Sequence, residues 1–112
     1  VKSERRKAAT AAFRARRTRA GIYAIRCVGA AEQWIGRASN LEAIRKRIFF
    51  TLAHRGNPHR SLQQAWNSFG PEGLVFEELE ILEEEDLSDA SRELWLKSRL
   101  RHWLEARAAI RI

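Results

Sequence analysis

The sequence predicts an α/β (α+β) domain: a three-stranded, mostly antiparallel sheet flanked by helices, with a basic helix added at the N-terminus. Three observations carry this. Two short apolar runs, Gly21 to Val28 and Gln33 to Arg37, are joined by Gly29-Ala30-Ala31-Glu32, a small-residue turn of hairpin length. A third run, Leu74 to Leu82, is rich in Leu, Val, Phe and Ile and reads as a strand. Segments with helical spacing lie between the second and third runs and after the third, which gives two helices, a strand and a last helix behind the hairpin.

The elements follow in order. Residues 1–20 form a basic arm, helical at least when bound, and residues 21–112 form the domain. For the first helix behind the hairpin, Ser39 and Glu42 have capping-box spacing, with Asn40 as the alternative cap. Leu41, Ile44, Ile48, Phe49 and Leu52 recur at helical intervals, and Gly56 ends the helix before Asn57-Pro58. A second helix is predicted from His59 to Ser68, stopping before Gly70-Pro71-Glu72-Gly73. Asp86 or Ser88 caps a long final helix to about Ala108, with Leu96, Leu100, Trp103 and Leu104 as its apolar stripe.

At 112 residues the chain is long enough for one self-supporting core. No apolar run approaches the ~20 residues of a membrane span, so no membrane partner is expected. The single cysteine, Cys27, excludes an intrachain disulfide and points to a reducing, intracellular and cytoplasmic setting. The net charge is +7, and residues 1–20 alone account for it, with eight of the 21 Lys+Arg and one acid, Glu4. The remainder is neutral. Such an arm predicts a polyanionic partner, with Arg5, Arg6, Lys7, Arg14, Arg16 and Arg17 as phosphate contacts. A solvated helix, a targeting presequence and a tail touching an acidic membrane are the competing readings of the arm. Arg37, His59 and Arg60 are further nucleic-acid contacts, His59 and Arg60 because a helix start favours phosphate.

The words Gly21-Ile22-Tyr23 and Trp34-Ile35-Gly36 fall on the two hairpin strands. With Leu62-Gln63-Gln64-Ala65-Trp66-Asn67-Ser68-Phe69-Gly70 and Phe76-Glu77-Glu78-Leu79-Glu80-Ile81-Leu82, the chain from about 21 to 100 resembles the GIY-YIG nuclease family. The resemblance implies metal-assisted phosphodiester hydrolysis, with Mg²⁺ or Mn²⁺ as cofactor and DNA, single-stranded or duplex, as substrate. Tyr23 matches the first tyrosine, which helps to activate water. Trp34 stands at the second tyrosine; its indole has one N–H donor and no useful ionisation, which leaves stacking on a base or donating to phosphate. Counted without gaps from Trp34, the family's arginine falls on Ile44 and a histidine position on Ile48. Arg45 and Arg47 flank Ile44. Arg45 falls within the apolar arc of the helix and then needs a partner, whereas Arg47 sits on its rim and is the preferred phosphate-stabilising residue. Glu93 is the candidate metal ligand, although register from the preceding strand lands one turn later, near Leu96.

Each role has a physical basis. Phosphoryl transfer needs charge neutralisation and alignment, and a hard cation accepts one carboxylate with water and substrate oxygens as its shell. A catalytically degenerate nucleic-acid-binding module of the same descent is the alternative, favoured by Trp34, Ile44 and the displaced glutamate. A basic RNA- or assembly-binding protein is the third reading.

Overall fold

The computed structural model describes residues 19–83 and 87–112. The arm residues Arg5, Arg6, Lys7, Arg14, Arg16 and Arg17, and the arm helix, lie outside that range. Arg19 and Ala20, counted with the arm, are built into the domain: the Arg19 carbonyl accepts from Leu41 N–H and the Ala20 carbonyl from Leu82 N–H, each at 2.8 Å.

Strand β1 (Gly21–Cys27) is central, flanked by β2 (Gln33–Ala38) and β3 (Leu74–Ile81), both antiparallel to it. A central strand is covered on both sides, which is why Gly21 to Ile25 form one continuous buried run rather than an alternating one. The sheet has four strands, not three. The two-residue β4 (Ile110–Arg111) adds in parallel beyond β2, giving the order β3-β1-β2-β4. Two residues are too few to show a period of two in the sequence.

Helix α1 (Leu41–Ala53) is capped by Asn40, whose side chain accepts from Ala43 N–H at 3.0 Å, so the alternative cap is the one used. Helix α2 (Arg60–Phe69) and a 3₁₀ turn (Pro71–Gly73) lead into β3. Helix α3 (Asp89–Arg107) starts at Ser88, whose Oγ accepts from Ser91 N–H.

The sheet separates two apolar clusters. One face presents Tyr23, Ile25 and Trp34 to Leu41, Ile48 and Leu52 of α1 and Leu62 of α2. The other presents Ile22, Ala24 and Ile35 to Leu96 and Leu100 of α3. A β-bulge sets the faces of β3: Tyr23 pairs with Glu78 while Ile22 pairs with Glu80, leaving Leu79 as the extra residue. Leu79 and Glu80 therefore both turn to the α3 side.

Candidate nuclease-like site

Tyr23 sits directly across from Gly36, and this pairing explains the glycine. A Cβ on Gly36 would lie 2.5 Å from the Tyr23 hydroxyl, so any larger residue displaces the phenol. Gly21 is likewise fixed by the bulge, since a Cβ there would lie 2.1 Å from the Glu80 carbonyl oxygen. The Tyr23 ring stacks on Phe76 with centroids 5.2 Å apart and planes 13° from parallel. Only 3% of Tyr23 is exposed, and burial pushes its pKa up to about 12. At neutral pH its hydroxyl is protonated and has a hydrogen to donate.

Trp34 lies on the same face and is fully buried, with its one N–H donated to Ser61 Oγ at 2.9 Å. The stacking and phosphate-donating roles predicted for it are closed in this arrangement. It anchors α2 on the sheet instead. Gln63 holds the preceding turn: its side chain donates to the Leu52 carbonyl and accepts from Asn57 N–H, both at 3.1 Å. The Leu-Gln-Gln-Ala segment thus earns its residues by fastening α1 to α2.

Along α1, Ile44 packs against the Tyr23 cluster, and Arg45 and Arg47 are both exposed. The expectation that Arg45 falls within the buried arc is corrected: the sheet lies toward Leu41, Ile44, Ile48 and Leu52, which turns Arg45 outward. Neither arginine has an acidic partner among the described residues. His59 and Arg60 are also exposed, with His59 at the N-cap of α2, so they open onto solvent from the same helix pair.

Glu93 is elsewhere. It projects from the first turns of α3 to form an ion pair with Arg37. Arg37 pairs with Ile22 and lies on the α3 side of the sheet, whereas Tyr23 and Gly36 lie on the α1 side. The structure therefore brings Glu93 and Arg37 together and keeps both apart from Tyr23. Both line an open hollow with Ser39 and Arg111. Glu93 keeps 46% of its side chain exposed. A half-exposed carboxylate fits the role of single protein ligand to a hard cation whose other ligands are water and substrate oxygens. Among the described residues no group of three metal-binding side chains occurs.

With this geometry in place, the solved structures it is similar to are two versions of one domain. The catalytic domain of homing endonuclease I-TevI superposes with a TM-score of 0.67 at 22% identity, over 83% of this chain and 97% of that one. A mutant of the catalytic domain of intron endonuclease I-TevI gives 0.53 at 27% identity, over 74% and 84%. The chain has a GIY-YIG nuclease fold. No protein-family model matches it, and no curated protein matches it by sequence.

Within this GIY-YIG fold, one group on the tyrosine face was missed from sequence. Glu78 is the cross-strand partner of Tyr23, and Arg19 grips its carboxylate through two hydrogen bonds of 3.0 and 3.2 Å. It is the carboxylate that the register places beside the tyrosine. Its position follows from the β1–β3 register and the bulge, neither of which is written in the run Phe76 to Leu82.

Proposed function

We propose that this chain is a nuclease that hydrolyses phosphodiester bonds in DNA, aided by Mg²⁺ or Mn²⁺. The observation that supports this best is the Tyr23–Gly36 pair, set in a GIY-YIG fold next to a helix whose arginines have no acidic partner among the described residues. Arg47 would neutralise charge building on the phosphate. Tyr23 would hold a water or a phosphate oxygen through its neutral hydroxyl, since its raised pKa leaves it protonated at physiological pH. Glu93 would hold the cation, which supplies charge neutralisation when bound. The arm, Arg37, His59 and Arg60 would contact flanking phosphates, Arg37 once its carboxylate partner is engaged.

A second reading is favoured by one specific observation: Tyr23 and Glu93 lie on opposite faces of the sheet, the latter held by Arg37. On this reading the chain is a binding module that keeps the nuclease fold and does not cut. The test is cleavage of labelled single-stranded and duplex DNA with Mg²⁺, Mn²⁺ or EDTA, run beside Tyr23→Phe, Arg47→Ala and Glu93→Gln. Metal-dependent cutting that is lost in the variants supports the nuclease. Binding without cutting, unchanged by Tyr23→Phe and Glu93→Gln, supports the module.

A further inference from the structure

The outer face of α1 carries an aromatic pair that the proposed cleavage chemistry does not use. Phe50 is 63% exposed. Its ring stacks on the His54 imidazole one turn later, with centroids 4.1 Å apart and planes 28° from parallel. The imidazole is held: His54 Nδ1 lies 2.8 Å from the Phe50 carbonyl oxygen, and because a carbonyl only accepts, Nδ1 carries the hydrogen. The pair is therefore a built, two-ring surface rather than a loose apolar side chain. The exposed ring offers an apolar, flat face to a ligand.

The charge around the pair indicates which occupant. Arg47 and Lys46 lie three and four residues before Phe50, on the same side of the helix. Arg55 follows His54 directly, in a left-handed conformation at φ 58°. Residues 41–60 contain one acid, Glu42, against five bases. Glu42 is spent on Lys46 at 3.5 Å, and Arg47 and Arg55 have no acidic partner among the described residues. An aromatic face bordered by guanidinium groups matches a nucleobase with its adjoining phosphates.

Resting on the nucleic-acid reading above, we propose that Phe50 and His54 form a stacking platform for an unpaired nucleobase, with Arg47 and Arg55 on the flanking phosphates. In a duplex both faces of each base are already stacked, so the platform selects single-stranded or locally opened substrate. It also sets a base one helical turn from Arg47, the residue assigned to the phosphate.

The test compares the full chain with Phe50→Ala and Phe50→Trp for binding to oligothymidylate and to a hairpin duplex of equal phosphate count, at one fixed salt concentration. Phe50→Ala is expected to weaken oligothymidylate binding about 5- to 150-fold, the equivalent of ~1–3 kcal/mol for one stacked base, and to leave duplex binding within about twofold. Phe50→Trp restores single-strand binding. A single-stranded probe carrying 2-aminopurine should lose its quenching in Phe50→Ala alone. Unchanged oligothymidylate binding in Phe50→Ala, with both substrates bound by the parent chain, overturns the platform and leaves the nucleic-acid reading standing. Equal loss on both substrates overturns it as well, because stacking on an unpaired base is then not what Phe50 provides. A parent chain that binds neither substrate removes the nucleic-acid reading and the platform with it.

Discussion

The two sides of the sheet differ in how they use arginine. On the α3 side Arg37 lies against Glu93, Arg99 against Glu80, and Arg26 and Arg107 against Glu77, while Arg101 and Arg111 have no acidic partner among the described residues. On the α1 side Arg45, Arg47, Arg55 and Arg60 have no acidic partner among the described residues. The sequence distribution underlies the contrast: ten of the 14 acids fall in residues 72–93, in β3 and around the start of α3. A guanidinium that is hydrogen-bonded within the fold contributes to structure and presents little net field. An unpaired one contributes little to stability and leaves its charge for a polyanion. Arg19 with Glu78 is the exception that joins the two patterns, a paired arginine on the tyrosine face.

The largest expected effect is on what holds α2 against the sheet. Trp34→Ala empties a fully buried indole site and orphans Ser61, and should cost about 3–5 kcal/mol. Denaturant unfolding measures it. A loss below about 1 kcal/mol would mean that Trp34 is not the anchor of α2.

The contrast itself is broken by treating one arginine on each side alike. Arg47→Ala should leave stability within about 0.5 kcal/mol. It should cut turnover about 10²- to 10³-fold if Arg47 stabilises the transition state, and lower the salt slope of DNA binding by about one. Arg99→Ala should do the reverse, costing roughly 1–3 kcal/mol of stability by leaving Glu80 with only Trp103, and sparing DNA affinity. Equal effects of the two substitutions on stability would remove the distinction between the faces.

Alkaline pH probes the tyrosine face next. Tyr23 is the chain's single tyrosine, so tyrosinate absorbance reports it alone. Its folded pKa, about 12, exceeds the ordinary 10.0. The folded state thus binds the proton more tightly, and its stability is intact below pH 10 and falls as pH rises toward 12. The loss reaches roughly 2–3 kcal/mol and should be absent in Tyr23→Phe. A tyrosinate midpoint near 10 would show that the phenol is open to solvent, which suits a water-activating role better.

Much of this contrast was hidden in the sequence, for definite physical reasons. The hairpin, the third strand and the helices were legible because apolar periodicity, turn residues and caps are local signals. The face assignments were not local. Strict alternation from Phe76 puts Glu78 and Glu80 on one side of β3, and the bulge at Leu79 sends them to opposite sides. Arg45 was misplaced because a helical wheel gives the apolar arc only approximately, and here Ile44 lies nearer the centre of that arc. Glu93 lies apart from Tyr23 because α3 covers the other face of the sheet, and no local signal states which face a following helix covers.

The smallest effect belongs to the α3 side and to acid. Burial works against ionisation of Glu80, but hydrogen bonds from Trp103 and Arg99, with the charges of Arg99 and His102, outweigh it, so its pKa lies below the ordinary 4.5. A carboxylate with a depressed folded pKa stabilises the fold fully above the unfolded value, and that contribution fades as pH falls through the folded one. Glu80 is partly exposed, so solvent screens much of the interaction and the change is modest. The expected signature is a stability gap between the parent chain and Glu80→Gln that is constant near neutrality and narrows below pH 4.5. A gap that persists unchanged in acid would mean that Glu80 serves as a neutral hydrogen-bond acceptor. Pairing with charge would then not be what fixes the α3 arginines, and the contrast between the two faces would rest on Arg26, Arg37 and Arg107 alone.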